Sequence, residues 1–287
     1  MSQFTNYGEN KLADFFRGQG LTLPTNWYMT PLSAYSDSSA TELTGVGLSR
    51  VSVARSLANF AGTQADASTT ASSGTSHVTS NNNAIAFGTA SGSGTLVAVG
   101  LFDAASGGNC WMVWELDASL PFVTSDSVGL TAAQLRFSLG LTNGCTDYLA
   151  NKLIDLIFRA QAFSWPATIY HGAFTAAPSN AGDGTEVGGD VGYTRASLVP
   201  STANISGTQS VGSTTASSGT AGRISNNVSV AHPQPTGSWG SLGWGGWFDA
   251  ATSGNLLFWH ALTASLTVDA SSSPPTYAPN GFGLTIA

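Results

Sequence analysis

Apolar residues recur at helical spacing in two places along the chain and in strand-like runs almost everywhere else. In the first place, Leu12, Phe15 and Phe16 form one face, with Thr5 or Asn6 set to cap a helix. In the second, Leu149, Leu153, Leu156 and Ile157 follow at i, i+4, i+7 and i+8 behind Thr146 or Asp147. Gly18 and Gly20 end the first helix, and a proline follows each, Pro24 and Pro166. The strand runs begin with NWYMTPLSA (26–34) and TIYHGAFTA (168–176), continued by RVSVARS and RASLVPS. AIAFG and TLVAVGLF come next, and TLVAVGLF is apolar on both faces, which predicts a central strand. CWMVWELDA alternates, with Cys110, Met112, Trp114 and Leu116 on one face. Leu256, Phe258, His260 and Leu262 occupy the matching face later in the chain. DAASGGN and DAATSGN separate these runs from the preceding ones, and their Asp, Gly and Asn suit hairpin turns.

The pattern occurs twice because the sequence does. TTASSGT stands at 69–75 and again at 214–220. NKLADFFRGQGLTLP (10–24) aligns with NKLIDLIFRAQAFSWP (151–166) with one inserted residue. Arg50 in LSRVSV matches Arg195 in YTRASL, SNN at 80–82 matches SNN at 225–227, and LFDAASGGN matches WFDAATSGN. Collinear blocks at a nearly constant offset indicate a tandem duplication, 1–143 and 144–287, and a period this long predicts two domains rather than a solenoid. Each half is predicted to be a mainly all-β domain of the β-sandwich or jelly-roll type, preceded by one short α-helix. TTASSGT itself reads as an exposed polar loop between strands.

Composition narrows the function. Only 9% of the 287 residues are charged, so solubility rests on Ser, Thr, Asn and Gly, as in many shell and surface proteins. The net charge is −7 and the nine basic residues are scattered, which argues against a nucleic-acid partner. No apolar run reaches the length of a membrane span, and the first residues carry no apolar leader. Cys110 and Cys145 share no metal-like spacing and are expected as free thiols.

Candidate chemistry is sparse. His77, His171, His232 and His260 show no metal-helix spacing, and none recurs in the other half. No nucleophile elbow, phosphate loop or dinucleotide fingerprint is present. Asp103 and Asp249 recur after an aromatic residue and read as hairpin-turn residues rather than metal ligands. Glu42 and Glu186 recur too, set to pair at the surface with Arg50 and Arg195 or to meet another subunit. No catalytic, cofactor or metal residue is assigned, and no enzyme is expected. Trp239, Trp244 and Trp247 crowd into SWGSLGWGGW; they read as core, with a sugar-stacking surface as the alternative.

Asn151, Lys152 and Leu153, then Tyr170, FTAAPS, AGDGTEV with Glu186, Tyr193 and Arg195, then SNN and the block Phe248 to Leu262 carry a family likeness. With them the second half resembles the small virion proteins of tailed bacteriophages. These are often labelled tail fibre proteins, and some are capsid cement or decoration proteins with a jelly-roll fold. The first half keeps Glu42 and Arg50 but lacks the AAP and AGDGTE signature. The resemblance implies a non-enzymatic virion protein assembled in the host cytoplasm, without cofactor. Its implied partners are the major capsid protein, or tail and baseplate proteins, and other copies of itself. The leading expectation is a cement protein on the outside of the head. A tail fibre or baseplate accessory protein and a carbohydrate-binding module for host sugar are the alternatives.

Overall fold

The computed structural model describes residues 2–139, 141 and 144–286. The boundary expected between 143 and 144 touches Asn143, which with Gly140 and Thr142 lies outside the described residues. The chain is mostly β, with two helices, α1 (Asn6–Phe16) and α2 (Asp147–Arg159). Thr5 and Thr146 are the N-caps, accepting from Gly8 N and Leu149 N, as helix starts with orphan N–H groups require. The same two hydroxyls donate to Cys110 O and Leu256 O, so each helix begins pinned to a strand of its own repeat.

Each repeat carries one antiparallel sheet. In the first the order is Ser2–Phe4, Cys110–Phe122, Gly94–Phe102, Asn26–Ser36, Ser39–Glu42, and Val51–Ala54 also pairs with Asn26–Ser36. In the second it is Thr185–Glu186, Ile169–Ala176, Gly240–Phe248, Leu256–Val268, and Ala196–Leu198 also pairs with Ile169–Ala176. Gly94–Phe102 is interior, as its two apolar faces predict: Leu101 packs in the main core, and Ala98 and Phe102 pack on the other side. Short two-stranded ladders complete each repeat. Val78–Ser80 pairs with Arg136–Ser138 and Ile85–Thr89 with Ser127–Leu130. Arg223–Ser225 pairs with Gly283–Thr285 and Val230–Ala231 with Thr276–Tyr277.

The registers fix which residues correspond. Met29 opposite Leu101 matches His171 opposite Trp247, and Thr79 opposite Phe137 matches Ile224 opposite Leu284. One hydrophobic cluster joins residues of both repeats and both helices, from Phe4 and Phe16 to Phe158 and Phe258.

The helices cross between the repeats. Arg159 on α2 is fully buried; its Nε donates to Phe60 O at 3.0 Å and its Nη1 pairs with Asp155 at 2.6 Å. Asp155 in turn accepts from Ser72 N at 3.0 Å, inside the first TTASSGT loop. Arg17 on α1, also fully buried, donates to Ile205 O at 3.0 Å and pairs with Asp14 at 2.7 Å. Asp14 accepts from Ser217 N at 3.0 Å, inside the second TTASSGT loop. Asn10 Nδ2 donates to Gly219 O and Asn151 Nδ2 to Gly74 O. The inserted residue makes Asp155 and Arg159 an i,i+4 pair where Asp14 and Arg17 are i,i+3. The guanidinium reaches the corresponding carbonyl in both cases because Arg17 is itself the C-cap, whereas α2 runs one residue further and ends at Ala160 in the left-handed region.

The repeated loop is mostly exposed, as expected, but it is not idle. Its backbone and hydroxyls form a clamp for the other repeat's helix. Gln64 and Gln209 brace it from within, with Oε1 accepting from Ser73 N and Ser218 N. A Cβ at Gly74 would lie 2.3 Å from Thr63 O, and one at Gly219 2.2 Å from Thr208 O, so both positions require glycine. The contacts through Ser72, Ser73 and Gly74, and through Ser217, Ser218 and Gly219, constrain the loop's sequence in both copies.

Removing either arginine leaves a carboxylate and several carbonyls unpaired in the core. Arg159→Ala and Arg17→Ala are each expected to destabilise the chain by about 3–5 kcal/mol. Denaturant unfolding checks this; an exposed Arg136→Ala, whose side chain is 52% accessible, is the control and should change little.

Candidate functional site

The recurrent carboxylates all turn out to hold structure. Asp103 accepts from Asn109 N at 2.7 Å, and Asp249 from Asn255 N at 2.7 Å, closing the two hairpin loops. Each bond spans six residues, so the aspartate ties the whole loop. Glu42 and Glu186 do pair with Arg50 and Arg195, as expected, with the carboxylates partly exposed and the guanidinium groups buried beneath them. Both arginine side chains are only 7% accessible. Arg195 grips Glu186 with two nitrogens at 2.8 and 2.7 Å, lies over the Phe248 ring, and donates to Ala250 O and Ser253 O. Arg50 does the same with Glu42, Phe102 and Ala104 O. These forks lock a hairpin loop to the sheet through two-point pairing of guanidinium and carboxylate.

The tryptophan-rich stretch is mostly core. Trp239 and Trp247 are buried, and Trp239 Nε1 donates to Val191 O at 2.9 Å. No flat pair of indoles is presented there. Cys110 and Cys145 are unpaired, and burial pushes both thiols up to about 12, which makes them inert. His77 sits apart from the other histidines, 2.7 Å from Asp147 at the start of α2.

The remaining three histidines, far apart in sequence, meet in the second repeat. His171 is fully buried; its Nδ1 lies 3.0 Å from His232 Nε2, and its ring is 5.6 Å from that of His260. His232 Nδ1 lies 3.2 Å from Thr194 O, an acceptor only, so in the neutral ring it is Nδ1 that carries the proton. His232 Nε2 then accepts from His171 Nδ1–H, and His171 Nε2 is left as a bare acceptor with no protein partner. Tyr277 packs tilted against His171 with ring centroids at 4.4 Å, and Tyr193, bonded to Glu186, stacks on His232. The corresponding residues of the first repeat are Met29, Phe87 and Trp114, all buried. Three positions that are apolar core in the first repeat are thus imidazoles in the second. Sequence spacing hid this cluster, because the three residues sit on separate strands. The alignment of the halves held the signal, three histidines each facing an apolar residue.

Burial dominates the ionisation of all three. It holds His171 well below 6.5, with the neighbouring rings adding to the effect, and brings His260 down to about 4. His232 is lowered less, since the Thr194 carbonyl and Glu186 favour its charged form. These rings are neutral at pH 7 and act as hydrogen-bonding core. Among the described residues no cluster of His, Cys, Asp and Glu has metal-holding geometry, and no helix is long and apolar enough to cross a membrane.

A histidine with a depressed folded pKa binds fewer protons folded than unfolded, so stability falls as pH drops from about 6.5 towards 4. Glu9, raised to about 7 by burial and by Asp37, works in the opposite sense over the same range. The two are separated by mutation. His171→Met, which installs the first repeat's residue, should remove about 2 kcal/mol of the stability lost between pH 7 and pH 5. Urea unfolding at the two pH values measures it; an unchanged difference would show that His171 is not the titrating group.

The geometry is thus that of a rigid, internally paired scaffold with one unusual polar core. The family described as podophage GP4 fiber I protein gp80 matches residues 3–138 and again residues 144–281. Each match covers one repeat, with its helix, its sheet and its clamp loop. No curated protein matches the chain at a significant level. Two matches that together span nearly the whole sequence place the chain in this family of phage fibre structural proteins, present here as two tandem copies.

Proposed function

We propose that this chain is a non-enzymatic building block of a podophage fibre, attached to the virion through tail or baseplate proteins and other copies of itself. The observation that carries the reading is the match of both repeats to the fibre family, combined with the reciprocal helix clamp. A fibre module must transmit load and survive outside the cell. Two copies fused in one chain and bolted through each other's cores hold together without depending on concentration. The paired carboxylates of each repeat are already committed to structure, which leaves the module's outer surface for contacts with other virion proteins.

Head decoration is the second reading. It is favoured by the absence of a long repetitive shaft among the described residues, since the strands form compact sheets instead. The two readings differ in where the protein sits and what its loss does. Tagged chain on intact particles, located by electron microscopy, is expected at the tail. Particles lacking it should adsorb poorly to host cells while holding their DNA on heating as well as complete ones. Label over the head, with early DNA release from deficient particles, would replace the fibre reading by the cement reading.

A further inference from the structure

The two helix junctions are not equally tight. α2 is held in the first repeat by more than its clamp. Trp27 Nε1 donates to Ile157 O at 2.9 Å, and Arg55 donates to the same oxygen at 2.8 Å and to Leu156 O. His77 lies 2.7 Å from Asp147 at the start of the helix. In the second repeat Ile169 stands for Trp27, Pro200 for Arg55 and Gly222 for His77. None of these three has a side-chain donor, so the added anchors of α2 have no counterpart on α1. Packing follows the same asymmetry. Phe158 of α2 sits against Phe60 and Phe137, with ring centroids at 5.5 and 5.2 Å. Phe16 of α1 takes the corresponding place in the second repeat, where Ile205 stands for Phe60 and Leu284 for Phe137. A cavity of about 50 Å³ lies there, with Phe16, Ile169, Ile205 and Leu284 in its wall. Side chains that face a void lose contacts on that side, which weakens the docking of α1.

The looser junction also carries an ionisable group in its contact surface. Glu9 on α1 stands where α2 has Ala150, and its carboxyl fills the space beside Gly222 of the second repeat: a Cβ there would lie 3.1 Å from it. Glu9 is only 8% exposed, and its Oε2 is buried without a hydrogen-bond partner. Among the described residues no cation pairs with it. Asp37, in the turn after Asn26–Ser36, is the charge that acts on it, and it repels. The other charged groups around α1 are engaged elsewhere. Lys11 lies over the Tyr7 ring, and Asp14 and Arg17 hold each other and the second loop. Arg223, next to Gly222, donates to Asn280 Oδ1 at 2.9 Å. On the neighbouring strands Asp103 holds Asn109, and Glu115 is bonded to Tyr35.

We propose that α1 is a releasable latch, which undocks from the second repeat while the α2 junction stays closed and does so more readily once the Glu9 carboxyl is charged. Docking takes that carboxyl out of water and sets it beside Asp37, so the neutral acid fits the junction and the carboxylate does not. Burial, and then Asp37, raise the folded group from 4.5 to about 7. In the undocked helix the carboxyl is solvated and returns to its ordinary range. A group raised in the closed state favours closure at low pH, and that contribution is lost as pH rises from about 4.5 through 7. The loss falls on α1 alone, because Ala150 at the matching place on α2 does not titrate.

The two lysines of the chain, Lys11 and Lys152, occupy matching positions on α1 and α2 and give a direct readout. Cleavage after either one requires its helix to open. Endoproteinase Lys-C acting on the intact native chain at pH 8.5 should cut after Lys11 about tenfold or more faster than after Lys152. Glu9→Gln, which cannot ionise, should slow the cut at Lys11 about tenfold and leave that at Lys152 unchanged. Glu9→Ala, which installs the residue of α2, serves as the second variant and should also slow it. Hydrogen exchange of the unsubstituted chain, corrected for intrinsic rates, should show the protection of α1 falling about tenfold more than that of α2 between pH 5.5 and 8.5. Trp27→Ile combined with Arg55→Ala removes the added anchors of α2 and should bring the two cleavage rates together. Equal cutting of the two helices in the unsubstituted chain, earlier cutting at Lys152, a Lys11 rate indifferent to both Glu9 substitutions, or α1 protection that does not change with pH would overturn the proposal.

Discussion

Each helix carries a buried Asp–Arg pair that is completed only by the loop of the other repeat, and the rest of the molecule is arranged around that exchange. A guanidinium with no exposed surface is costly unless all its donors are used. Arg17 and Arg159 use theirs on carbonyls that lie some two hundred and one hundred residues away, at Ile205 and Phe60. The clamp loops must therefore keep their backbone geometry, which is why TTASSGT and its glycine persist in both copies. Each helix starts on its own sheet and ends in the other repeat's loop, so the two sheets share one core.

A scaffold held this firmly lets its interior diverge. The forks at Glu42–Arg50 and Glu186–Arg195, the Asp-closed hairpins and the helix clamps are kept in both repeats. Between them the repeats differ: where the first has Met29, Phe87 and Trp114 the second has three histidines, and where the first has Phe60 and Phe137 the second has Ile205 and Leu284. Each such change costs packing, of the order of 1–3 kcal/mol for a large-to-small substitution that can partly relax. Their convergence on one region, around His260, is what separates this repeat from a neutral drift of core residues. The first repeat serves as the filled reference for the second.

Much of this was legible beforehand. The duplication, the two helices with each cap narrowed to two adjacent residues, and the central strand Gly94–Phe102 follow from spacing and pattern, because short-range periodicity is what places them. The helix exchange was not legible. The motif of Asn, Asp and Arg on the helix and the TTASSGT loop occur in both halves, so pairing within a half and pairing across halves use the same residues. Only the path of the chain from Thr5 and Thr146 decides between them, since each cap is anchored on its own sheet and aims the helix away from its own loop. The histidine cluster and the cavity were hidden for a different reason: they join residues of separate strands, and one of them is a deficit of volume. The paired alignment of the halves was the signal for both, Trp27 against Ile169 and Phe87 against His232 among others.

The central claim is that each repeat's fold is completed by the other's helix. Producing 1–143 and 144–287 as two separate chains, then mixing them, tests it most directly. The account predicts that neither chain alone is a folded monomer, and that together they form a one-to-one complex whose cooperative unfolding resembles that of the intact chain. A half that unfolds cooperatively as a monomer, with its arginine protected inside its own loop, would contradict it.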